Sequence, residues 1–201
     1  MPKRKNKKNT KRIALLGIFT AIILIQNFVP FLGNIPIPPL NPTIIHITVI
    51  VATLVIGTKD GVIIGGIWGI VRMIRAYTVP SSPLDLLLWT NPIIAFIPRM
   101  LIGLVTGVVY QLLKRRNQKN QTFAMAAASV GGSLTNTLLV LTFIYLFYGA
   151  EYAAALDVDI SNLMLVLAGV VATNGVAEAV VAAIVAPLVS KPLLKINGKS
   201  K

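Results

Sequence analysis

Residues 88–116 read LWTNPIIAFIPRMLIGLVTGVVYQLLKRR, an apolar stretch that ends in three consecutive basic residues. Because about 20 apolar residues cross the hydrocarbon core of a bilayer as one helix, residues 88–113 are long enough to span it. Similar apolar segments cover residues 13–30, 43–57, 61–77, 123–148 and 163–189. The sequence therefore predicts an all-α integral membrane protein, built as a bundle of six transmembrane helices.

The composition of the whole chain agrees with a lipid environment. Of its 201 residues, 55% are hydrophobic and 12% are charged, whereas a soluble domain carries about 25% charged residues. We expect a basic tail at residues 1–12, a transmembrane domain at 13–190 and a second basic tail at 191–201. A cleaved signal peptide at the first segment is disfavoured, because its apolar run is long and no small-x-small cleavage pattern follows.

The positions of lysine and arginine predict the orientation. Sixteen of the 19 basic residues precede the first segment, lie between the second and third or the fourth and fifth, or follow the last. With six spans all sixteen fall on one side, and the positive-inside rule places both termini in the cytoplasm of a bacterial cell. These residues flank apolar spans instead of alternating with aromatics, which argues against a nucleic-acid partner. The acidic residues of the opposite side are Asp85, Glu151, Asp157 and Asp159.

Small residues at four-residue spacing mark faces where membrane helices pack closely. We interpret the glycines of segments three and four as internal packing faces. On the first segment Gly17 and Ala21 form the same pattern, and both internal packing and docking on another membrane subunit remain open there. The glycines at this spacing in segments three and four are Gly61, Gly65, Gly69, Gly103 and Gly107.

Arginines inside the apolar segments are the first candidates for a binding site. A charged side chain at bilayer depth costs about 2.5–3.5 kcal/mol on insertion scales, so it needs a partner or a ligand. Arg99 follows Pro98 well inside its segment, and it is the best candidate to hold a substrate carboxylate. An internal salt bridge to Glu178 is the alternative. Arg72 is a second candidate for the same cavity, whereas Arg75 is expected to snorkel to the interface.

Other polar groups in the later segments extend this candidate site. Asn136 lies on segment five, and Asn174 and Glu178 share one face of segment six. Trp68 offers an apolar wall with one hydrogen-bond donor, although packing alone is an equal alternative. Interhelical hydrogen bonding is the alternative for the asparagines. Asn174 with Gly175 is also predicted to break segment six and to leave residues 163–173 as a separate lid-like piece.

Several features limit the chemistry of the chain. His46 is the single histidine and the chain has no cysteine, so a zinc site is excluded and a packing role is favoured over a ligand contact. Residues 30–42 hold five prolines and are expected to form a stiff loop over the site. No P-loop, nucleophile elbow or His-Glu-x-x-His motif is present. The chain is therefore not expected to be an enzyme.

Four stretches together resemble a known family. They are residues 14–21 (ALLGIFTA), 42–50 (PTIIHITVI), 57–66 (GTKDGVIIGG) and 91–99 (NPIIAFIPR). With six short spans and a basic N-terminus, they resemble the substrate-binding S-component of energy-coupling factor (ECF) vitamin transporters. The resemblance covers most of the chain and is greatest for the pantothenate-specific branch.

The resemblance implies a six-helix capsule that binds its vitamin near the outer face and has no cofactor of its own. It implies as partners a transmembrane coupling subunit (T-component) and two ATPase subunits that bind ATP and Mg²⁺, and release of the cargo by toppling in the membrane. The small-residue stripe of helix one, here Gly17 and Ala21, docks on the coupling subunit in that family. Together with the residues above, the substrate-binding candidates are Arg99, Asn136, Asn174, Glu178, Trp68, Arg72 and Asn91.

Three other functions remain open on the sequence. An S-component for riboflavin, folate or a queuosine precursor is the nearest, although flat aromatic ligands favour a pocket richer in aromatic side chains. A stand-alone proton-coupled carrier, with Glu178 as the protonated group, belongs to a different class. A membrane scaffold without a ligand is the third.

Overall fold

The computed structural model describes residues 3–29, 32–33, 43–116 and 120–196, with the side chains of residues 3–8 and 116 left out. Within these ranges the chain is helical apart from short connections and forms six longer helical rods and one short helix, and the last rod contains a π-helical segment. The elements are α1 (Lys3–Phe28), α2 (Ile45–Val55), α3 (Thr58–Thr78), α4 (Pro83–Trp89), α5 (Pro92–Arg116), α6 (Gln121–Ala155), α7 (Ile160–Val170), the π segment (Val171–Gly175) and α8 (Val176–Ile196).

Four of the helical stretches are long and apolar enough to cross a membrane. They are Asn9–Phe28, Pro92–Arg115, Gln121–Ala155 and Ile160–Ile196. Helix α2 is apolar but has only 11 residues, and α3 carries charged residues at both of its ends. The all-helical membrane fold is thus confirmed, while the count of six spans and the orientation of the termini stay predictions.

Glycines allow α3 and α5 to pack closely as antiparallel neighbours. A methyl group added at Gly65 would come within 2.1 Å of the Arg99 carbonyl oxygen, and one at Gly103 within 2.5 Å of the Gly61 carbonyl carbon. Glycine at these positions lets two backbones approach where lipid supplies no hydrophobic drive for association. The predicted packing faces of segments three and four are confirmed.

The charged break between α2 and α3 is also as predicted. Gly57 has φ of 137°, a conformation that favours glycine. Asp60 follows in the first turn of α3 and is buried. Arg12 of α1 donates from Nε to both carboxylate oxygens of Asp60, at 2.8 and 2.9 Å. This ion pair therefore fixes α1 against α3 at the end of the bundle away from the cavity described below.

The fourth predicted segment begins too early. Residues 83–89 form the separate helix α4, whose first turn is capped by the Ser82 hydroxyl accepting from the Asp85 amide at 3.2 Å. Helix α5 then begins at Pro92, where a missing N–H costs nothing. The apolar pattern of Leu86–Trp89 concealed this turn because a short interfacial helix and the start of a span have similar composition.

The predicted break in the last segment is wrong. Residues 171–175 form a π segment that joins α7 to α8 in one continuous 37-residue helix. A π turn absorbs an extra residue without ending the helix and is frequent at functional sites. Thr173 donates to the Gly169 carbonyl at 2.8 Å, which keeps this turn bonded to the preceding one.

His46 lies in the core between α2 and α6. Its Nε2 is 3.2 Å from the Ser133 hydroxyl, and its side chain is buried. It does not line the cavity described below, in agreement with the packing role. Of the predicted stiff loop, only Leu32 and Gly33 fall within the described residues; the rest, including its five prolines, lies outside them.

We expect Gly65→Ala to destabilise the protein, because the new methyl group would collide with the backbone of α5. Overpacking of this kind costs roughly 1–3 kcal/mol. Thermal unfolding of the purified protein in detergent should show a lower midpoint. Gly66→Ala is the matched control, since its nearest atoms lie at 3.8 Å. Equal midpoints for the two variants would contradict the close contact.

Candidate functional site

A cavity of about 360 Å³ opens at the end of the bundle where α1, α3 and α6 finish. Its volume lies within the range of small-molecule sites in proteins. The beginnings of α2 and α5, the helix α4 and the π segment complete its walls. This end lies opposite the basic connection that follows α5, and it is the end that the sequence predicts to face outward.

Arg99 is the central cation of the cavity. It is 3% exposed, and its guanidinium lies between the rings of Trp68 and Trp89, at 5.0 and 4.5 Å from their centroids. Its Nη1 donates to the carbonyl of Ile94, the group that would have bonded to residue 98 if that residue were not proline. Pro98 thus leaves the Ile94 carbonyl without its helical donor, and the side chain of the next residue, Arg99, donates to that carbonyl instead.

No carboxylate partner holds Arg99 within the described part of the chain. The predicted alternative, a salt bridge to Glu178, is not formed. Glu178 instead accepts from the backbone N–H of Thr43 at 2.8 Å and from the Thr137 hydroxyl at 3.2 Å. These donors satisfy the acid within the bundle. Among the described residues, the Arg99 charge therefore has no acidic partner and its Nε has no hydrogen-bond acceptor.

A second arginine near the cavity is neutralised. Arg72 donates to Asp85 Oδ1 at 3.0 Å, and Trp89 Nε1 donates to the same oxygen at 3.0 Å. The Arg72 guanidinium also lies 4.8 Å from the Trp89 ring centroid. Asp85 therefore joins α4 to α3 and orients Trp89 against Arg99. Among the described residues that line the cavity, Arg99 is then the one cation without an acidic partner.

Sequence reasoning missed the roles of Asp85 and Trp89. Asp85 was noted only as an acid of an outer connection, and Trp89 was not singled out. Their four-residue separation after Pro83 and the capping residue Ser82 is a signal of a short helix with both side chains on one face. The signal is hard to recognise because the apolar residues 86–89 resemble the beginning of the span that follows.

The structure brings together six of the seven predicted substrate-binding residues. Asn91 is the exception: its Oδ1 caps α5 by accepting from the Ile93 amide at 2.9 Å, and its Nδ2 donates to Tyr148 at 3.2 Å. The cap of α5 and the bond to Tyr148 together occupy both the oxygen and the nitrogen of this amide. The predicted residues that line the cavity are Arg99, Asn136, Asn174, Glu178, Trp68 and Arg72.

The other predicted groups lie away from the cavity. Gly17 and Ala21 are exposed on α1, and a methyl group added at Gly17 would meet no atom within 4 Å. Arg75 reaches the connection between α3 and α4, where it donates to Ser81 at 3.3 Å. Among the described residues, no group of three histidine or acidic side chains is arranged to hold a metal ion.

Comparison with known proteins identifies relatives along nearly the whole chain. A family described as "ECF transporter, substrate-specific component" matches residues 11–190. The pantothenic acid transporter PanT of Lactococcus lactis subsp. cremoris is 31% identical over 207 residues, covering 96% of this chain and 99% of that protein. The pantothenate transporter PanT of Leuconostoc mesenteroides is 31% identical over 192 residues, covering 93% and 94%.

We expect Asp85→Ala to release Trp89 from the cavity wall. The Arg72–Asp85 ion pair is partly buried, and removing one partner of a fully buried pair costs roughly 3–5 kcal/mol, because the other charge is left unpaired. The chain has two tryptophans, so in a Trp68→Phe background Trp89 is the sole tryptophan and its fluorescence can be excited selectively. Its quenching by acrylamide should increase with Asp85→Ala.

Glu151→Ala, which removes an exposed carboxylate of α6, is the control for that experiment. It should leave the quenching of Trp89 unchanged. Equal quenching in the Asp85→Ala variant and its parent would show that the carboxylate does not position the ring.

Proposed function

The chain belongs to the family of ECF transporter substrate-specific components, and we propose that it captures pantothenate in the cavity around Arg99. It is a substrate-specific subunit of a vitamin transporter. The observation that carries the choice of ligand is the buried Arg99, which has aromatic walls and no carboxylate partner among the described residues.

Pantothenate carries a carboxylate, an amide and two hydroxyl groups, and the polar groups of the cavity match these. Trp68 Nε1 and Arg99 Nε are buried donors without an acceptor. A buried donor left unsatisfied costs about 1–3 kcal/mol, a cost that a bound carboxylate removes. We infer that the carboxylate binds at Arg99 and Trp68, where the planar, permanently charged guanidinium suits it.

The aromatic side chains support pantothenate over a flat vitamin. The rings of Trp68 and Trp89 both lie against the Arg99 guanidinium. Because these faces hold the cation, they are not free to stack on an isoalloxazine or pterin ring. A compact, flexible anion uses the charge without needing the ring faces.

For transport we propose the assembly implied by the family. A transmembrane coupling subunit docks on the small-residue stripe of Gly17 and Ala21, and two ATPase subunits bind ATP and Mg²⁺ and drive uptake. The open surface at Gly17 supports this role. The rival hypothesis is a stand-alone proton-coupled carrier that uses Glu178. Uptake driven by a pH gradient in vesicles that lack any ATPase would favour the rival.

We propose six spans in a bacterial cell membrane, with both termini in the cytoplasm and the cavity facing outward. The absence of cysteine from the chain makes single-cysteine labelling a clean test. Ser81→Cys and Asn162→Cys should react with an impermeant maleimide in intact cells. Lys59→Cys and Arg115→Cys should react only after the membrane is opened. The reverse pattern would overturn the orientation.

We expect Arg99→Met to weaken pantothenate binding by at least about 30-fold, because losing a buried charge partner costs 2–5 kcal/mol or more. Isothermal titration calorimetry or tryptophan fluorescence of the detergent-purified protein would measure the Kd. Arg75→Met is the control, since Arg75 does not itself line the cavity and its side chain donates to Ser81 at the end of α3. An unchanged Kd in Arg99→Met would remove the carboxylate role.

A further inference from the structure

Asn27, in the last turn of α1, is a polar residue on an otherwise apolar buried face. Phe19 and Ile23 precede it at four-residue spacing and belong to the core. Asn27 continues the same face at 1% exposure and lines the cavity. A leucine or isoleucine there would bury its side chain without leaving a polar group unpaired. The amide therefore needs a physical reason.

The orientation of the Asn27 amide is determined by its one hydrogen bond. Nδ2 donates to the Ile23 carbonyl at 2.8 Å. Because a carbonyl can only accept, the NH₂ group must face Ile23, and the alternative flip of the amide is excluded. Oδ1 is thereby turned away from the α1 backbone. It is buried and receives no hydrogen bond from any described residue.

This free acceptor lies on a different wall of the cavity from Arg99. Helix α1 packs on α2 and α3 but makes no contact with α5, which carries Arg99. Thr43, at the start of α2, also lines the cavity, and its backbone N–H donates to Glu178. A second acceptor, Asn136 Oδ1 of α6, is also buried and receives no hydrogen bond from any described residue. Two unpaired acceptors therefore lie on walls of the cavity other than the one that carries Arg99.

We infer that Asn27 Oδ1 accepts a hydrogen bond from a hydroxyl group of the bound anion and so determines the specificity of the site. The inference rests on the proposed function, since it places the carboxylate at Arg99. The hydroxyl groups of pantothenate lie at the opposite end of the molecule from its carboxylate. A ligand without them leaves the Asn27 carbonyl unpaired and is rejected, because sites built around a hydrogen bond discriminate strongly against analogues that lack the group.

The test compares two ligands in two proteins. The ligands are pantothenate and N-(3,3-dimethylbutanoyl)-β-alanine, which keeps the carboxylate and the amide but has no hydroxyl groups. The proteins are the wild-type chain and Asn27→Leu, purified in detergent. We expect Asn27→Leu to raise the Kd for pantothenate about 10-fold or more, the effect of 1.4 kcal/mol. The Kd for the analogue should stay within about 3-fold of its wild-type value, since the analogue has no hydroxyl group to donate to Asn27 and so loses no hydrogen bond in the variant.

Gln26→Leu is the matched control. Gln26 is the neighbouring amide, accepts from Thr48 at 2.8 Å and does not line the cavity. It should leave the Kd of both ligands unchanged. The midpoint of thermal unfolding, measured for each variant, separates binding from folding: because leucine suits a buried apolar face, we expect Asn27→Leu to unfold no earlier than wild type.

The outcomes are distinct. If Asn27→Leu weakens both ligands equally, or neither, the inference is overturned while pantothenate capture stands. If wild-type protein binds the analogue as tightly as pantothenate, the hydroxyl groups do not contribute to recognition and the inference also fails. If wild-type protein does not bind pantothenate, the proposed function fails and this inference fails with it.

Discussion

The hydrogen bond from the Arg99 guanidinium to the carbonyl of Ile94 is the interaction on which the cavity depends. Pro98 lacks the N–H that would have satisfied this carbonyl. In a bilayer core, an orphaned carbonyl and an unpaired guanidinium are each costly, and here one group satisfies the other. The bond anchors the side chain and leaves its net charge uncompensated by any acid of the described chain. That charge is what an anionic ligand can neutralise.

The remaining charges are arranged so that Arg99 is available. Asp85 holds Arg72 and orients Trp89, while Glu178 is satisfied by Thr43 and a hydroxyl of α6. If Glu178 had paired with Arg99 instead, the two charges would have cancelled and the site would not attract an anion. The hydrogen bond from Thr43 to Glu178 also links the residues just before α2 to α8. The contacts that hold Glu178 in place therefore also join these two walls of the cavity.

The close packing of the α3 and α5 backbones also contributes to this arrangement. The contact of Gly65 with the carbonyl of Arg99 brings α3 against α5 at the level of the binding site. Trp68 lies three residues after Gly65 and thereby reaches the Arg99 guanidinium. A larger side chain at Gly65 would separate the helices and move the ring from the cation. The glycine spacing that serves packing therefore also positions the chemistry.

The sequence by itself determined the membrane-embedded helical fold, because apolar length and basic flanks are local properties. The family was indicated separately, by the resemblance of four stretches of the chain. The sequence also identified six of the residues that line the cavity, Arg99 and Asn174 among them, since a polar side chain within a span has to face the interior. Only the tertiary structure decided that Asn91 caps a helix, that Asn27 lines the cavity, and that Glu178 does not pair with Arg99. Such pairings depend on the rotation and register of neighbouring helices, which hydropathy along one chain does not encode.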